Sequence, residues 1–300
     1  MIWFAAGFFI GTVLGSFVKV LADRSLRSQS FWGRSYCSFC KQHLRAYDLF
    51  PILSFLSTMG RCRYCHKKLS IEYLLVEVVM GLLIGFLFWQ SFANLRFTIY
   101  DLRFTIFELD LIFKTFFITV LAVLFLTDLK KMFIPDRIIL PAIWVSIIFI
   151  TFITIIKIIY LYFYLNQTTI GKLLLPPHSD YFLRHAMLIA QPFLTGILMA
   201  ITIGGFFWAL IIITKGKGMG GGDVKLGALM GLMLGFPQAL IALMVSFLSG
   251  AIFSIVLIIF GKKHFGQVIP FGPFLVLGSL TALFWGDKIL SWYLHLNLMT

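Results

Sequence analysis

Charge is what this chain most lacks: only 12% of its 300 residues are Asp, Glu, Lys or Arg, against about 25% in an average soluble domain. Such a deficit excludes a water-solvated globular enzyme. Cysteine is scarce too, with four in all, each between positions 37 and 65, so no disulfide framework runs through the molecule. The motif G-x-S-x-G is absent and so is H-E-x-x-H, which removes the common signatures of serine hydrolases and zinc peptidases. Also missing is the short alternating pattern of a membrane β-barrel. Long apolar runs fill the space that charge leaves, and 60% of the residues are hydrophobic.

Those runs recur along the whole length and are long enough to cross about 30 Å of hydrocarbon as helices. The expected spans are 2–22, 74–91, 111–127, 138–164, 186–213, 224–236, 238–260 and 270–286. This is an all-α polytopic membrane protein of about eight transmembrane helices, with a small cytoplasmic module between the first two. Residues 1–22 begin apolar, with no basic start and no small-residue cleavage site, so a retained first helix is expected. A net charge of +13 could point to nucleic acid, but the basic residues segregate. Seventeen of the 25 Lys and Arg lie in the segments that would be cytoplasmic if 23–73 is, and this places both termini outside.

The expected organisation is therefore a first helix over 1–22, a cytoplasmic tetracysteine module over 23–73 and a membrane domain over 74–300. At about fifty residues the module has a marginal core and needs a staple. Cys37-Ser38-Phe39-Cys40 and Cys62-Arg63-Tyr64-Cys65 provide two C-x-x-C knuckles, which can present four thiolates to one structural zinc. Disulfides or free thiols are the alternative, disfavoured in a reducing compartment. Two outside segments carry less information. One, 92–110, holds a short duplication, Leu95–Asp101 and Leu102–Glu108, read as an interfacial insertion; the other, 165–185, has no motif.

Acids inside apolar sequence are costly, so each one asks for a reason. Asp223 ends the glycine-dense stretch from Lys215 to Gly222, and Asp128 ends the third span. By span parity both emerge on the cytoplasmic side, where they can meet. Two neighbouring carboxylates do not both ionise easily, so they share a proton and divide the work of base and acid, as peptide hydrolysis through water requires. The glycines leave room for an extended substrate segment. The plainer reading makes Asp128 an interfacial acid paired with Lys130 or Lys131. Asp136, after Pro135, reads as a helix N-terminal acid. Glu77 and Lys19, near the inner ends of the first two helices, are expected to pair or to touch substrate, with a snorkelling Lys19 and an interfacial Glu77 as the plainer reading.

These stretches together resemble the prepilin peptidases, or type IV leader peptidases, membrane aspartic proteases of the G-x-G-D class. The G-x-G-D is Gly220-Gly221-Gly222-Asp223. Gly15-Ser16-Phe17 with Arg24, the two knuckles, Pro51-Ile52-Leu53-Ser54, Gly60-Arg61-Cys62-Arg63, and Tyr73 with Glu77 are similar to the family's N-terminal region. Asp128 with Ile134-Pro135-Asp136 is similar to its first-aspartate motif, and Ile269-Pro270-Phe271-Gly272-Pro273-Phe274 to the element before the last helix. The resemblance implies that Asp128 and Asp223 are the catalytic pair. It further implies type IV prepilin or pseudopilin precursors as substrates, cut at the cytoplasmic face of the bacterial inner membrane in pilus assembly or protein secretion. The expected metal site is Cys37, Cys40, Cys62 and Cys65; Gly220, Gly221, Gly222, Glu77 and Lys225 are expected to bind substrate or support the site. Many family members also N-methylate the new terminus from S-adenosylmethionine.

Lys19 stands where many relatives have Asn, Glu72 where a base is common, residue 25 is Ser, and the first knuckle lacks the frequent Pro. All four departures fall in the N-terminal region and bear on methylation rather than cleavage. The rival from another class is a proton-coupled transporter relaying through Asp128 and Asp223, which predicts internal repeats; a non-cutting pilin scaffold would tolerate loss of both acids. Expected partners are prepilin-like precursors and membrane lipid, with no nucleic acid.

Overall fold

The structure, a computed structural model, describes residues 1–37, 39–93, 102–167, 169–177, 179–216, 219–260 and 269–298. Ten α-helices order the described residues: α1 (Ile2–Leu26), α2 (Leu53–Ser57), α3 (Glu72–Ala93), α4 (Leu102–Lys131), α5 (Asp136–Asn166), α6 (Thr169–Leu173), α7 (Tyr181–Ile213), α8 (Gly221–Leu234), α9 (Gln238–Ile259) and α10 (Gly272–Leu298). A short 3-10 helix, Ala46–Leu49, precedes α2. Apolar runs in lipid must satisfy their backbone groups internally, which is why they coil rather than extend.

Seven of these helices are long and apolar enough to cross a membrane. The remaining expected span is α8, whose 14 residues rise only about 21 Å. It stops at Gly235, which takes φ 63°, a left-handed value that glycine reaches without strain. The second copy of the duplication, Leu102–Glu108, is not loop but the opening turns of α4. The first copy lies outside the described residues. Within the segment 165–185 the short α6 forms.

The chain divides into two compact units, Met1–Pro135 and Asp136–Thr300. In the first, α1 and α3 run antiparallel with glycine as the contact: Gly7, Gly11 and Gly15 face Ile84, Met80 and Glu77 in turn. A Cβ on Gly15 would lie 2.7 Å from Glu77 Cα, so any side chain there would part the helices. Close backbone approach of this kind is how helices associate in lipid, where apolar contact alone gives no preference for a partner.

The second unit repeats the device with α7 and α8. Gly196 meets Leu232, Gly204 meets Ala228, and a Cβ on Gly231 would come within 2.6 Å of Ala200 N. The Pro-Phe-Gly-Pro-Phe element gains a structural account here. Gly272 and Pro273 open α10, and the Phe271 ring packs 6.1 Å from Phe207 of α7 and 5.1 Å from Phe247 of α9.

Candidate active site and metal centre

Asp128 lies in the last turn of α4 and is 5% exposed. Its carbonyl accepts the amide of Met132, which takes φ 50° and ends the helix. The end of α4 is tied down by charge. Lys130 Nζ sits 2.7 Å from Glu72 of α3 and 3.3 Å from Asp23 of α1, while Lys131 donates to the Leu26 carbonyl at 3.0 Å. Lys19, buried on α1, completes the cluster at 2.7 Å from Asp23 and 3.1 Å from Glu72. The Tyr73 hydroxyl donates to Asp23 at 3.4 Å, and the ammonium of Lys19 lies 4.7 Å above the Tyr73 ring.

Two cations and two anions thus neutralise one another across three helices. A buried ammonium requires such pairing. The expected partnership of Lys19 with Glu77 gives way to one with Asp23 and Glu72, because Glu77 turns instead to the Ile52 amide, which donates to its Oε2 at 2.8 Å. Lys130 likewise pairs with Glu72 and Asp23. Two of the four departures from the family pattern, Lys19 and Glu72, are partners of each other.

In the second unit Gly220 is the extended residue before α8, and Gly221, Gly222 and Asp223 already belong to its first turn. The glycine stretch is therefore helical from Gly221, and Lys217 and Gly218 lie outside the described residues. Amide N–H groups at a helix N-terminus favour an anion where Asp223 stands. Lys225, two residues on, meets Asp136 in the first turn of α5 at 2.5 Å. Asp136, expected to be a helix N-terminal acid, has this second task of fixing the start of α8. Asp128 and Asp223 fall in different units, each at an end held by an ion pair from the lysine two residues further on.

The four cysteines converge. Their Sγ atoms all lie within 4.8 Å of one another, with Cys37 and Cys65 at 4.0 Å. Four sulfurs at 2.3 Å from a tetrahedral zinc would be about 3.8 Å apart, so small movements suffice to fit. Two equivalent turns build the site. The Cys37 amide donates to Gln42 O and the Cys62 amide to Lys67 O, and Lys41 and His66 take matching φ values of 60° and 55°. Burial raises the Cys37 thiol, but amides of Cys40 and Phe39 outweigh it and hold the pKa at about 7. Cys65 receives the Lys67 amide, yet burial and its three thiol neighbours push it up to about 11. Crowded thiols resist joint ionisation; a cation among them removes that resistance.

Above the knuckles a cavity of about 170 Å³ is lined by Glu77, Asp48, Tyr73, Arg61 and Phe50. Asp23 and Asp48 were not singled out in the sequence. The i, i+4 spacing of Lys19 and Asp23 was a legible signal for the first. Nothing local marked Asp48, whose oxygens meet Arg63 at 3.1 Å and the Tyr64 hydroxyl at 2.9 Å.

Comparison with known proteins bears on the whole chain. Residues 9–91 match the Bacterial Peptidase A24 N-terminal domain and residues 115–255 the Type IV leader peptidase family. A "Prepilin leader peptidase/N-methyltransferase" of Bacillus subtilis is 30% identical over 97% of this chain and 98% of its own length. The chain belongs to the type IV leader peptidase family. Other relatives bearing the same description come from Aeromonas salmonicida, at 32% identity over 87% of this chain and 74% of theirs, and from Legionella pneumophila, at 29% over 88% and 76%. No solved structure matches significantly. In this leader peptidase family member the motifs that carry the resemblance are thus distributed over both units: the cysteine knuckles and Asp128 in the first, G-x-G-D and the Pro-Phe-Gly-Pro-Phe element in the second.

Proposed function

We propose that this chain is a membrane aspartic endopeptidase that removes the leader of type IV prepilin-like precursors, with Asp128 and Asp223 as its acid pair. One observation carries the reading beyond family membership. A Cβ on Gly221 would meet nothing within 4 Å, whereas one on Gly227 or Gly231 of the same helix would collide with α7. Gly220 and Gly221 are therefore not demanded by the fold's own packing, and clearance for a substrate backbone supplies the reason for them. One carboxylate would take a proton from water as its oxygen attacks the scissile carbonyl. The other would donate to the carbonyl oxygen, and the proton held by the first would then pass to the departing amine.

The sidedness of the basic residues supports cleavage at the cytoplasmic face of a bacterial inner membrane, with lipid as the surrounding medium and no role for nucleic acid. The four thiols suit structural zinc, which would cross-link the two knuckles. The relatives' description also supports N-methylation, whose methyl donor would be S-adenosylmethionine. The proton-relay transporter finds no support among relatives described as peptidases and methyltransferases.

Mass spectrometry of a co-expressed prepilin tests both activities at once. The wild-type protein should yield the leaderless chain, with one extra methyl if transfer operates. Asp128→Asn or Asp223→Asn should abolish cleavage while the protein still accumulates. Processing retained by either variant would sink the assignment.

A further inference from the structure

Twelve consecutive residues of the first loop, Leu49 to Gly60, carry no charge, and the loop does not fold them into a core of its own. Ile52 and Phe55 turn inward, and the Phe55 ring lies over Gly60, where a Cβ would come within 2.9 Å of it. Leu49, Phe50, Leu53, Leu56 and Met59 turn outward, with Leu53 61% and Met59 89% exposed. For a module bathed in water that is an unusual apolar face.

Its position accounts for it. The Phe50 ring lies 6.4 Å from the ring of Phe9 on α1. Phe9 precedes Asp23, the charged inner end of that helix, by fourteen residues, or about 21 Å of helix rise. The Ile52 amide reaches Glu77 Oε2, on a residue five positions inside α3 and thus about 8 Å along it from Glu72. The chain therefore leaves the knuckles, climbs beside α1 well past the ion cluster of Lys19, Asp23, Glu72 and Lys130, and returns. At the summit Ile52 adopts φ 61° and ψ −54°, the geometry of a tight γ-turn, which reverses the chain in the least possible length. Charge stays out of the excursion: Asp48, at its foot, is covered by Arg63 and Tyr64.

We infer that residues 49–59 form a re-entrant segment embedded in the hydrocarbon layer, with lipid acyl chains as the occupant of its outer face. Continuity with α1 selects that occupant. Phe9, Val13 and Phe17 are exposed at helical spacing on a span that faces the bilayer, and Phe50 extends the same surface. The backbone needs of such an excursion are met as lipid requires. α2 supplies its own hydrogen bonds, Glu77 takes the Ile52 amide, and Ser54 Oγ donates to Asp48 O at 2.8 Å. On this account the soluble module is smaller than the loop, and Glu77 is the latch that holds a membrane hairpin against α3.

The test uses the unmodified full-length protein in vesicles of phosphatidylethanolamine and phosphatidylglycerol, doped with a phospholipid bearing a diazirine midway along one acyl chain. After irradiation, adducts are mapped by peptide mass spectrometry. Labelling is expected on 49–59 at a yield comparable to that on Phe9–Phe17, and absent from the knuckle peptide 61–68. Loss of label from 49–59 while α1 remains labelled would overturn the inference. So would the joining of 49–59 to a second copy of the chain by a separate bifunctional cross-linker, in place of lipid adducts. Leu53→Glu with Leu56→Glu should reduce the adducts on 49–59 and leave those on α1 unchanged; undiminished labelling would equally count against it.

Discussion

Glu77 shows how its surroundings give one residue a structural task. An acid five residues inside an apolar helix invites a catalytic or substrate-binding role, but its carboxylate already accepts the amide of Ile52. Glu77→Ala would leave that amide without its acceptor, at a cost of about 1–3 kcal/mol. The expected outcome is faster protease nicking between residues 49 and 60, with Glu77→Gln, which keeps an acceptor oxygen, close to wild type. A Gln variant that folds normally yet loses activity would show that Glu77 also contacts substrate. The cysteines make a second prediction at this scale. Purified protein should contain about one zinc per chain, and Cys40→Ser should lower that content and loosen the module. A metal-free protein that stays folded and cleaves would refute the structural metal.

At the scale of the element, glycines of one helix have opposite meanings. In α8, Gly231 lies against the backbone of Met199 and Ala200, whereas Gly221 faces open space. Gly231→Val should fail to accumulate, since backbone cannot yield to a branched side chain. Gly221→Ala should accumulate normally and could gain up to about 1 kcal/mol of helix propensity. Its prepilin cleavage should nevertheless fall, as measured by the ratio of processed to unprocessed substrate. Unchanged cleavage would remove the clearance argument for that glycine. The same comparison marks how far the sequence could be read. Runs of apolar residues announced the long helices, because length and hydropathy alone decide whether a segment can cross. The break after α8 was legible as well, since the expected span 224–236 closes just before Pro237; what the runs did not announce is that 14 residues rise only about 21 Å, short of the ~30 Å of hydrocarbon.

At the scale of the whole molecule, each proposed acid stands at the end of a helix fixed by charge within its own unit. Lys130 ties the end of α4 to Glu72 and Asp23, and Lys225 ties the start of α8 to Asp136. The arrangement uses the few charges the chain has at the places where backbone position matters most. Exposed pairs contribute only about 0–1 kcal/mol each, so their value lies in orientation more than in stability.

The sequence by itself determined that this is a polytopic helical membrane protein, that four thiols are spaced to hold one metal, and that Asp128 and Asp223 are the acids to test. Those conclusions rest on local quantities: hydropathy, spacing and the cost of a carboxylate in apolar surroundings. Only the tertiary structure decided the partners. Lys19 to Glu72, Lys225 to Asp136, Glu77 to Ile52 and Phe50 to Phe9 join residues far apart in the chain. Such pairings follow from which helices pack and in what register. The backbone clearances at glycine that set this register are properties of two helices together, and no single stretch contains them.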